Sequence, residues 1–519
     1  MTSTPFGFHV PGPHAVLAGI QAVLLTAFVL AELLLGLYSS HRTLVLWRWW
    51  RSVSRKSVPP APSFRFRTKP GCRDWSRITV QLPIYNERLV VDRLLDSVAA
   101  LDYPADRLEI QVLDDSTDET RLRAAAAVAR HRARGTDIRH LHRTQRSGYK
   151  AGALAAGLAE AKGELVAVFD ADFVPPSGFL RRLVPHFDDP AVGMVQARWE
   201  HLNRDRSLLT AAQAAMLDAH FLVEHRARMA SGLFINFNGA AGLWRRACIE
   251  DAGGWSHDTL TEDLDLSYRA QLRGWRFVFD PNVHSAAELP GDIEALKSQQ
   301  RRWAKGSIQT ARKVLPSLLS ARLPARVKLE AFFHLTGNAA YPLVLAVALL
   351  LWPVLLGTRM DSPAFAGILQ MGVSLLGVLQ VALFLAVARR ASGGGPLQLI
   401  CDVPAALVLG VGLSLNNARA VIEGMRGRVG NWERTPKTGD GSLRTIDLAR
   451  YDSGRGLSGR AEIALAAYLA AVTVFAGCGG HYRTVPFLMF LLAGFLYVGT
   501  ESMRSSLGRR CRLGTARGG

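Results

Sequence analysis

Hydrophobic positions along this 519-residue chain fall into two textures. Residues 74–300 carry short β-rich runs alternating with helix-like stretches. The runs 78–82, 109–113, 137–141 and 164–169 predict strands. The segments 87–101, 118–134 and 149–161 predict helices between them. That alternation argues for a mainly parallel sheet covered on both faces, an α/β domain. Ligands on such sheets sit at the carboxyl ends of the strands. Here those ends read Pro83-Ile-Tyr-Asn-Glu87, Asp114-Asp115-Ser116 and Asp170-Ala171-Asp172.

The other texture is long and apolar. Residues 15–40, 331–357, 364–388, 397–418, 463–480 and 484–500 are each near or above membrane-spanning length. Residues 1–14 contain no Lys or Arg, so the first run reads as a retained anchor rather than a secretory signal. The run 397–418 holds Asp402, Pro404, Asn416 and Asn417. Read with 419–426, it predicts an interfacial or re-entrant helix. Five spans remain, one before the soluble domain and four after it. The expected division is an anchor at 1–40, a basic linker at 41–73, a catalytic domain at 74–310 and a membrane region at 311–519.

The formal charge is +19, from 62 Lys/Arg against 43 Asp/Glu. Nine Lys/Arg and no acid lie in 41–73, and eight Lys/Arg against four acids lie in 424–460. Positive charge beside apolar runs marks the cytoplasmic membrane face and argues against a nucleic-acid partner. The five cysteines have no metal or disulfide spacing, which suits a reduced compartment. The expectation is a multi-pass plasma (inner) membrane protein with 74–310 and 424–460 in the cytoplasm.

Several clusters carry candidate chemistry. Asp170 and Asp172 can face one hard cation, Mg²⁺ or Mn²⁺, that bridges a diphosphate. One of Asp114 and Asp115 can bind a nucleotide base or ribose, and Ser116 or Asp118 can cap the next helix. Lys150 begins a helix, a position that favours phosphate. Thr261-Glu262-Asp263 opens an amphipathic helix, where Thr261 can cap and Asp263 can act as general base. Gln299, Arg302 and Trp303 share one helix face.

Together these phrases resemble the membrane-bound processive β-glycosyltransferases of glycosyltransferase family 2. The wording is similar to the plant cellulose-synthase-like A and C branches. The matching phrases are QLPIYNE (81–87), IQVLDDSTD (110–118), GYKAGAL (148–154), VFDADFVP (168–175), VQARW (195–199), GGW…TEDLDL (253–266) and QQRRW (299–303). The resemblance implies a nucleotide-sugar-binding fold of the glycosyltransferase A type beside an α-helical multi-pass membrane region. It implies that Glu87, Asp114, Asp115, Lys150 and Asp170 bind nucleotide-sugar, and that Asp170 and Asp172 hold the metal. Asp263 becomes the catalytic base. Glu262, Gln299, Arg302 and Trp303 become the place where acceptor end and donor diphosphate meet. Trp432, Arg434, Thr435 and Lys437 match a gating loop within 424–460. The implied donors are GDP-mannose, GDP-glucose or UDP-glucose, and the implied product is a growing polysaccharide passed into the bilayer. At 237–242 the chain reads FNGAAG, without the hydroxyl residue that relatives carry after the first glycine.

Overall fold

The computed structural model describes residues 13–54, 75–357, 364–427 and 459–515, with Thr435, Lys437 and Gly439 between the last two ranges. Seven strands form one sheet: β1 (Ile78–Ile84), β2 (Leu108–Asp114), β3 (Ile138–His142), β4 (Leu165–Val168), β5 (Val192–His201), β6 (Gly242–Arg245) and β7 (Arg276–Ala287). Their order is β3-β2-β1-β4-β6-β5-β7. The pairs β1–β2, β1–β4, β2–β3 and β5–β7 are parallel, and β6 runs antiparallel to both its neighbours. The mainly parallel reading therefore holds.

Buried apolar side chains cover both faces of the sheet. Val80, Leu82, Ile110 and Val112 face one layer, and Leu113, Val166, Val168 and Trp244 the other. Pro83 interrupts a central strand at no cost in pairing. The β1–β4 ladder ends at Gln81, so Pro83 faces only β2. The Tyr149–Glu160 helix is rich in Ala and Gly and lies close on the sheet. A Cβ at Gly157 would come 2.7 Å from Gln81 Nε2 and from Leu113. These contacts seat the helix on β1 and β2.

The first helix runs unbroken from Pro13 to Ser54. It passes the expected boundary at residue 40, so the first part of the basic linker is helical. Trp49 in this extension donates to Leu222 O at 2.9 Å, which seats it on the soluble domain. Among the described residues four helices are long and apolar enough to cross a membrane: Val16–Ser54, Ala325–Leu356, Arg460–Cys478 and Val485–Ser506. The Ala364–Ala391 helix carries no charged residue before Arg389. The 397–418 run is not one helix. It forms Pro396–Gly412 and Ser414–Met425, bent by 50° at the break.

Candidate active site

The carboxyl ends of β1, β2 and β4 open onto a cleft of ≈ 140 Å³. Glu87, Asp115, Lys150, Asp170, Asp172, Glu262, Asp263, Gln299, Arg302, Trp303, Thr435 and Lys437 line it. Residues spread over 350 positions thus line one cleft. Trp432 and Arg434 lie outside the described residues.

Asp114 does not line this cleft. Its carboxylate is fully buried, 2.8 Å from His140 Nε2, and accepts from Ser116 N at 2.8 Å. Burial opposes its ionisation, but the bonds from His140 and Ser116 hold its pKa below the usual value. Asp114 thus shapes the strand end, and of the pair only Asp115 lines the cleft. Asp115 is gripped by Arg143 through Nε at 2.7 Å and Nη2 at 2.6 Å. That bidentate pair aims the carboxylate at the cleft. The Arg146 guanidinium lies 3.5 Å from the centre of the Tyr85 ring, beside Asp115. Of the capping candidates, Asp118 accepts from Thr120 N at 2.9 Å, and Ser116 Oγ accepts instead from Asn86 N.

Lys150 turns toward the carboxylates rather than to an open helix end. Its Nζ is 2.5 Å from Asp170, 3.9 Å from Glu262, and donates to Gly239 O at 2.9 Å. Burial works against its charge, yet Asp170 and Glu262 raise its pKa. Gly239 has φ +85°, and a Cβ there would come 3.0 Å from Asp263 Oδ2. Only glycine serves both demands.

Thr261 does not cap its helix. Its hydroxyl lies 3.2 Å from Thr310 Oγ1, and no side-chain cap is made. The Ile293–Ser320 helix holds this turn instead. Gln309 Oε1 accepts from Leu260 N at 3.0 Å. Gly306 lies so close that a Cβ would meet Thr261 Cγ2 at 2.5 Å. The same helix presents Gln299, Arg302 and Trp303 to the cleft. Gly306 was not legible as a site residue, because a glycine inside a helical pattern carries no chemical signal.

Glu262 is buried and Asp263 half-buried, and both line the same cleft. Burial and the neighbouring Glu262 push Asp263 up to about 7, with Lys150 opposing. Burial likewise raises Glu262, again against Lys150. A carboxylate near neutrality suits proton removal from a hydroxyl.

Asp170 and Asp172 each hold a cationic side chain. Asp170 takes Lys150, and Asp172 Oδ2 takes Lys437 Nζ at 2.7 Å while accepting from Glu288 N at 3.2 Å. No group of three His, Cys, Asp or Glu suited to a metal occurs among the described residues. An all-oxygen pair of carboxylates fits Mg²⁺ or Mn²⁺, which complete their shell with phosphate and water.

A second, larger cavity of ≈ 560 Å³ adjoins the cleft and runs between the long apolar helices. Trp199, Asn238, Asp263, Gln299 and Trp303 line both. Asp263 therefore stands on the wall common to a polar cleft and the cavity among the apolar helices.

A family model described as "Glycosyltransferase like family 2" matches residues 76–306. Glucomannan 4-beta-mannosyltransferase 9 of Arabidopsis thaliana is 31% identical over 466 residues, covering 85% of this chain and 85% of that protein. The chain belongs to the glucomannan 4-beta-mannosyltransferase family. Two further members are more alike over a shorter stretch. Glucomannan 4-beta-mannosyltransferase 2 of Arabidopsis thaliana is 40% identical over 50% of this chain and 51% of its own length. Glucomannan 4-beta-mannosyltransferase 1 of Oryza sativa subsp. japonica is 39% identical over 50% of this chain and 52% of its own. The chain thus spans about half the length of these two relatives in the aligned stretch. Among solved structures, the mannosyltransferase PcManGT from Pyrobaculum calidifontis in complex with GDP-Man and Mn2+ superposes with a TM-score of 0.50 at 21% identity. It covers 80% of this chain and 100% of that one. The fold is that of a family 2 glycosyltransferase, with several apolar helices compatible with membrane insertion.

Proposed function

We propose that this protein is a membrane-embedded, inverting, processive hexosyltransferase. It takes mannose, glucose or both from a nucleotide-sugar, adds it to a growing β-linked polysaccharide and extrudes the chain through the bilayer. The observation that carries this reading is the position of Asp263 between the polar cleft and the cavity among the apolar helices. The names of the relatives favour mannose, and GDP-mannose as donor. The catalytic domain and Lys437 then face the cytoplasm, where nucleotide-sugars are made.

Asp263 takes the proton of the acceptor hydroxyl as that oxygen attacks the anomeric carbon. The bond from that carbon to the diphosphate oxygen breaks, and configuration inverts. Arg302 and Lys437 offset charge on the departing nucleoside diphosphate. Asp170 and Asp172 would hold Mg²⁺ or Mn²⁺, which when bound neutralises that diphosphate. Lys150 keeps Asp170 and Glu262 compensated while Asp263 loads a proton. Trp303 offers a flat face to a sugar ring, and Gln299 stands one turn before it on the same helix face.

Purified protein in lipid, given each radiolabelled nucleotide-sugar with Mg²⁺ or Mn²⁺, tests the proposal. The expected product is an alkali-resistant polymer from GDP-mannose that β-mannanase digests. Label recovered only in organic-extractable lipid would replace the polymerase reading with transfer to a lipid.

A further inference from the structure

The Ile293–Ser320 helix has two opposed faces, and the reaction derived above uses only one. Gln299, Arg302 and Trp303 line the cleft. Lys297, Arg301 and Lys305 follow one another at i, i+4 and i+8 and form a basic stripe roughly 150° around the same helix. Each charge of that stripe meets an acid from beyond residue 400. Arg301 and Lys305 share Glu423, at 2.5 and 3.4 Å. Lys297 is 4% exposed, and its Nζ donates to Glu462 Oε1 at 2.7 Å and to Ser502 Oγ at 3.2 Å. Its backbone oxygen accepts from Asn416 Nδ2 at 2.9 Å. One residue, two positions before Gln299, is thus held at once by the helices Ser414–Met425, Arg460–Cys478 and Val485–Thr515.

Glu462 and Ser502 are both fully buried. They come together because their two helices touch through glycine. A Cβ on Gly459, whose φ is +70°, would meet Gly499 O at 2.5 Å and Ser502 Cβ at 2.9 Å. Burying an ammonium and a carboxylate costs solvation that the pair barely repays, and an apolar pair of equal volume holds helices together at least as well. Adhesion alone therefore does not account for a charge pair at this point. Such a pair fixes direction, because Nζ must meet Oε1 at hydrogen-bond length. Leverage sets the consequence for the cleft. Side-chain ends lie about 5–6 Å from a helix axis, so a rotation of about 10° moves them by about 1 Å. Misplacement on that scale costs up to about a hundredfold in rate.

We infer that Lys297 is a positioning residue: its bond to Glu462 sets the rotation of the Ile293–Ser320 helix, and with it the placing of Arg302 and Trp303 in the cleft. The apolar hairpin of Arg460–Cys478 and Val485–Thr515 thereby acts on the transfer step, while none of its described residues lines the cleft. The inference rests on the proposed hexosyl transfer for its rate readout.

The full chain in lipid nanodiscs tests it, with wild type set against Glu462→Gln, Lys297→Met and Lys297→Arg. Glu462→Gln keeps an acceptor for Lys297, and Glu294 at 3.7 Å still offsets the charge, so the fold survives in this variant. Val472→Ala is the control: it opens a cavity at a fully buried position on the same hairpin, nearly three turns beyond Glu462. Transfer from GDP-mannose should lose about tenfold in kcat in Glu462→Gln and about thirtyfold in Lys297→Met, with the donor KM changed less than about threefold. Lys297→Arg keeps the pair and should recover most of the loss. Amide hydrogen exchange across 299–303 should rise in Glu462→Gln and stay at the wild-type level in Val472→Ala. Wild-type kcat and wild-type exchange in Glu462→Gln overturn the inference. So does a loss of kcat that Val472→Ala reproduces at an equal drop in melting temperature. A wild type that forms no product from GDP-mannose would instead sink the proposed donor, and the exchange measurement still decides the positioning.

Discussion

Asp263 combines two demands that oppose each other in energy. Its burial beside Glu262 raises its pKa to about 7, so in the folded state the carboxyl binds its proton more tightly than in the unfolded chain. Its stabilising contribution is present below pH ~4, the ordinary aspartate value, and is lost as pH rises through about 7. Asp263→Asn removes a buried charge that is costly above that pH. The variant should melt higher than wild type at pH 8, and the two curves should converge toward pH 4. Transfer should fall by about a thousandfold, because an amide cannot accept the proton, with GDP-mannose affinity retained. Near-wild-type polymer yield would exclude Asp263 as base. Glu262 provides an independent check. Its charge is the second cause of the Asp263 shift, after burial. The acid limb of kcat/KM should therefore move to lower pH in Glu262→Gln, as measured by initial rates from pH 5 to 9. A limb that stays in place would mean that another group titrates.

At the scale of elements, the Ile293–Ser320 helix does more than present Gln299, Arg302 and Trp303. It clamps the turn that carries Asp263, through Gln309, Thr310 and the close approach at Gly306. Gly306→Ala would place a methyl 2.5 Å from Thr261 Cγ2 and 3.0 Å from Thr261 N, so helix and turn must separate. Overpacking of this kind costs about 1–3 kcal/mol. The same separation moves the proposed base Asp263 away from the helix face of Gln299, Arg302 and Trp303, and kcat should drop on the order of tenfold or more. Thermal melting and single-turnover rates measure the two effects. An unchanged rate in a destabilised variant would show that the clamp is structural alone.

The same helix marks how far the sequence could be read. Its chemistry was legible because Gln, Arg and Trp at helical spacing demand an explanation. Its packing was not, since Gly306 looks like any helical glycine. The four parallel strands β1–β4 were visible as apolar runs ending in polar residues. β6 was not, because Gly242, Leu243 and Trp244 are all buried and four residues show no alternation. Likewise the Asp114-Asp115 pair was legible as a site, but its division was not. It depends on His140 and Arg143, which reach one aspartate each from the neighbouring strand and the turn after it.

The whole molecule is held together by charges that cross from soluble domain to membrane region, and these bear on topology. Asp402, on the Pro396–Gly412 helix, is gripped by Arg389 at 3.0 Å and by Arg204 of the soluble domain. Glu423, on the Ser414–Met425 helix, pairs with Arg301 at 2.5 Å and Lys305 at 3.4 Å. Asn416, between them, donates to Lys297 O at 2.9 Å. Both halves of the bent pair are therefore fastened to the soluble domain. A spanning helix would carry one end a bilayer thickness away, roughly 30 Å. The buried Asp402 pairs are costly to break, so the bent pair should lie along the domain surface and return its chain to the same side. That side is the one on which Lys437 reaches Asp172. A cysteine at Ser442, in a background without the native cysteines, should resist a membrane-impermeant thiol reagent in intact cells and react after lysis. Labelling in intact cells would mean that 397–418 crosses the membrane. Lys437 could not then reach Asp172 from the cytoplasm, and its proposed role at the diphosphate would fall with the topology.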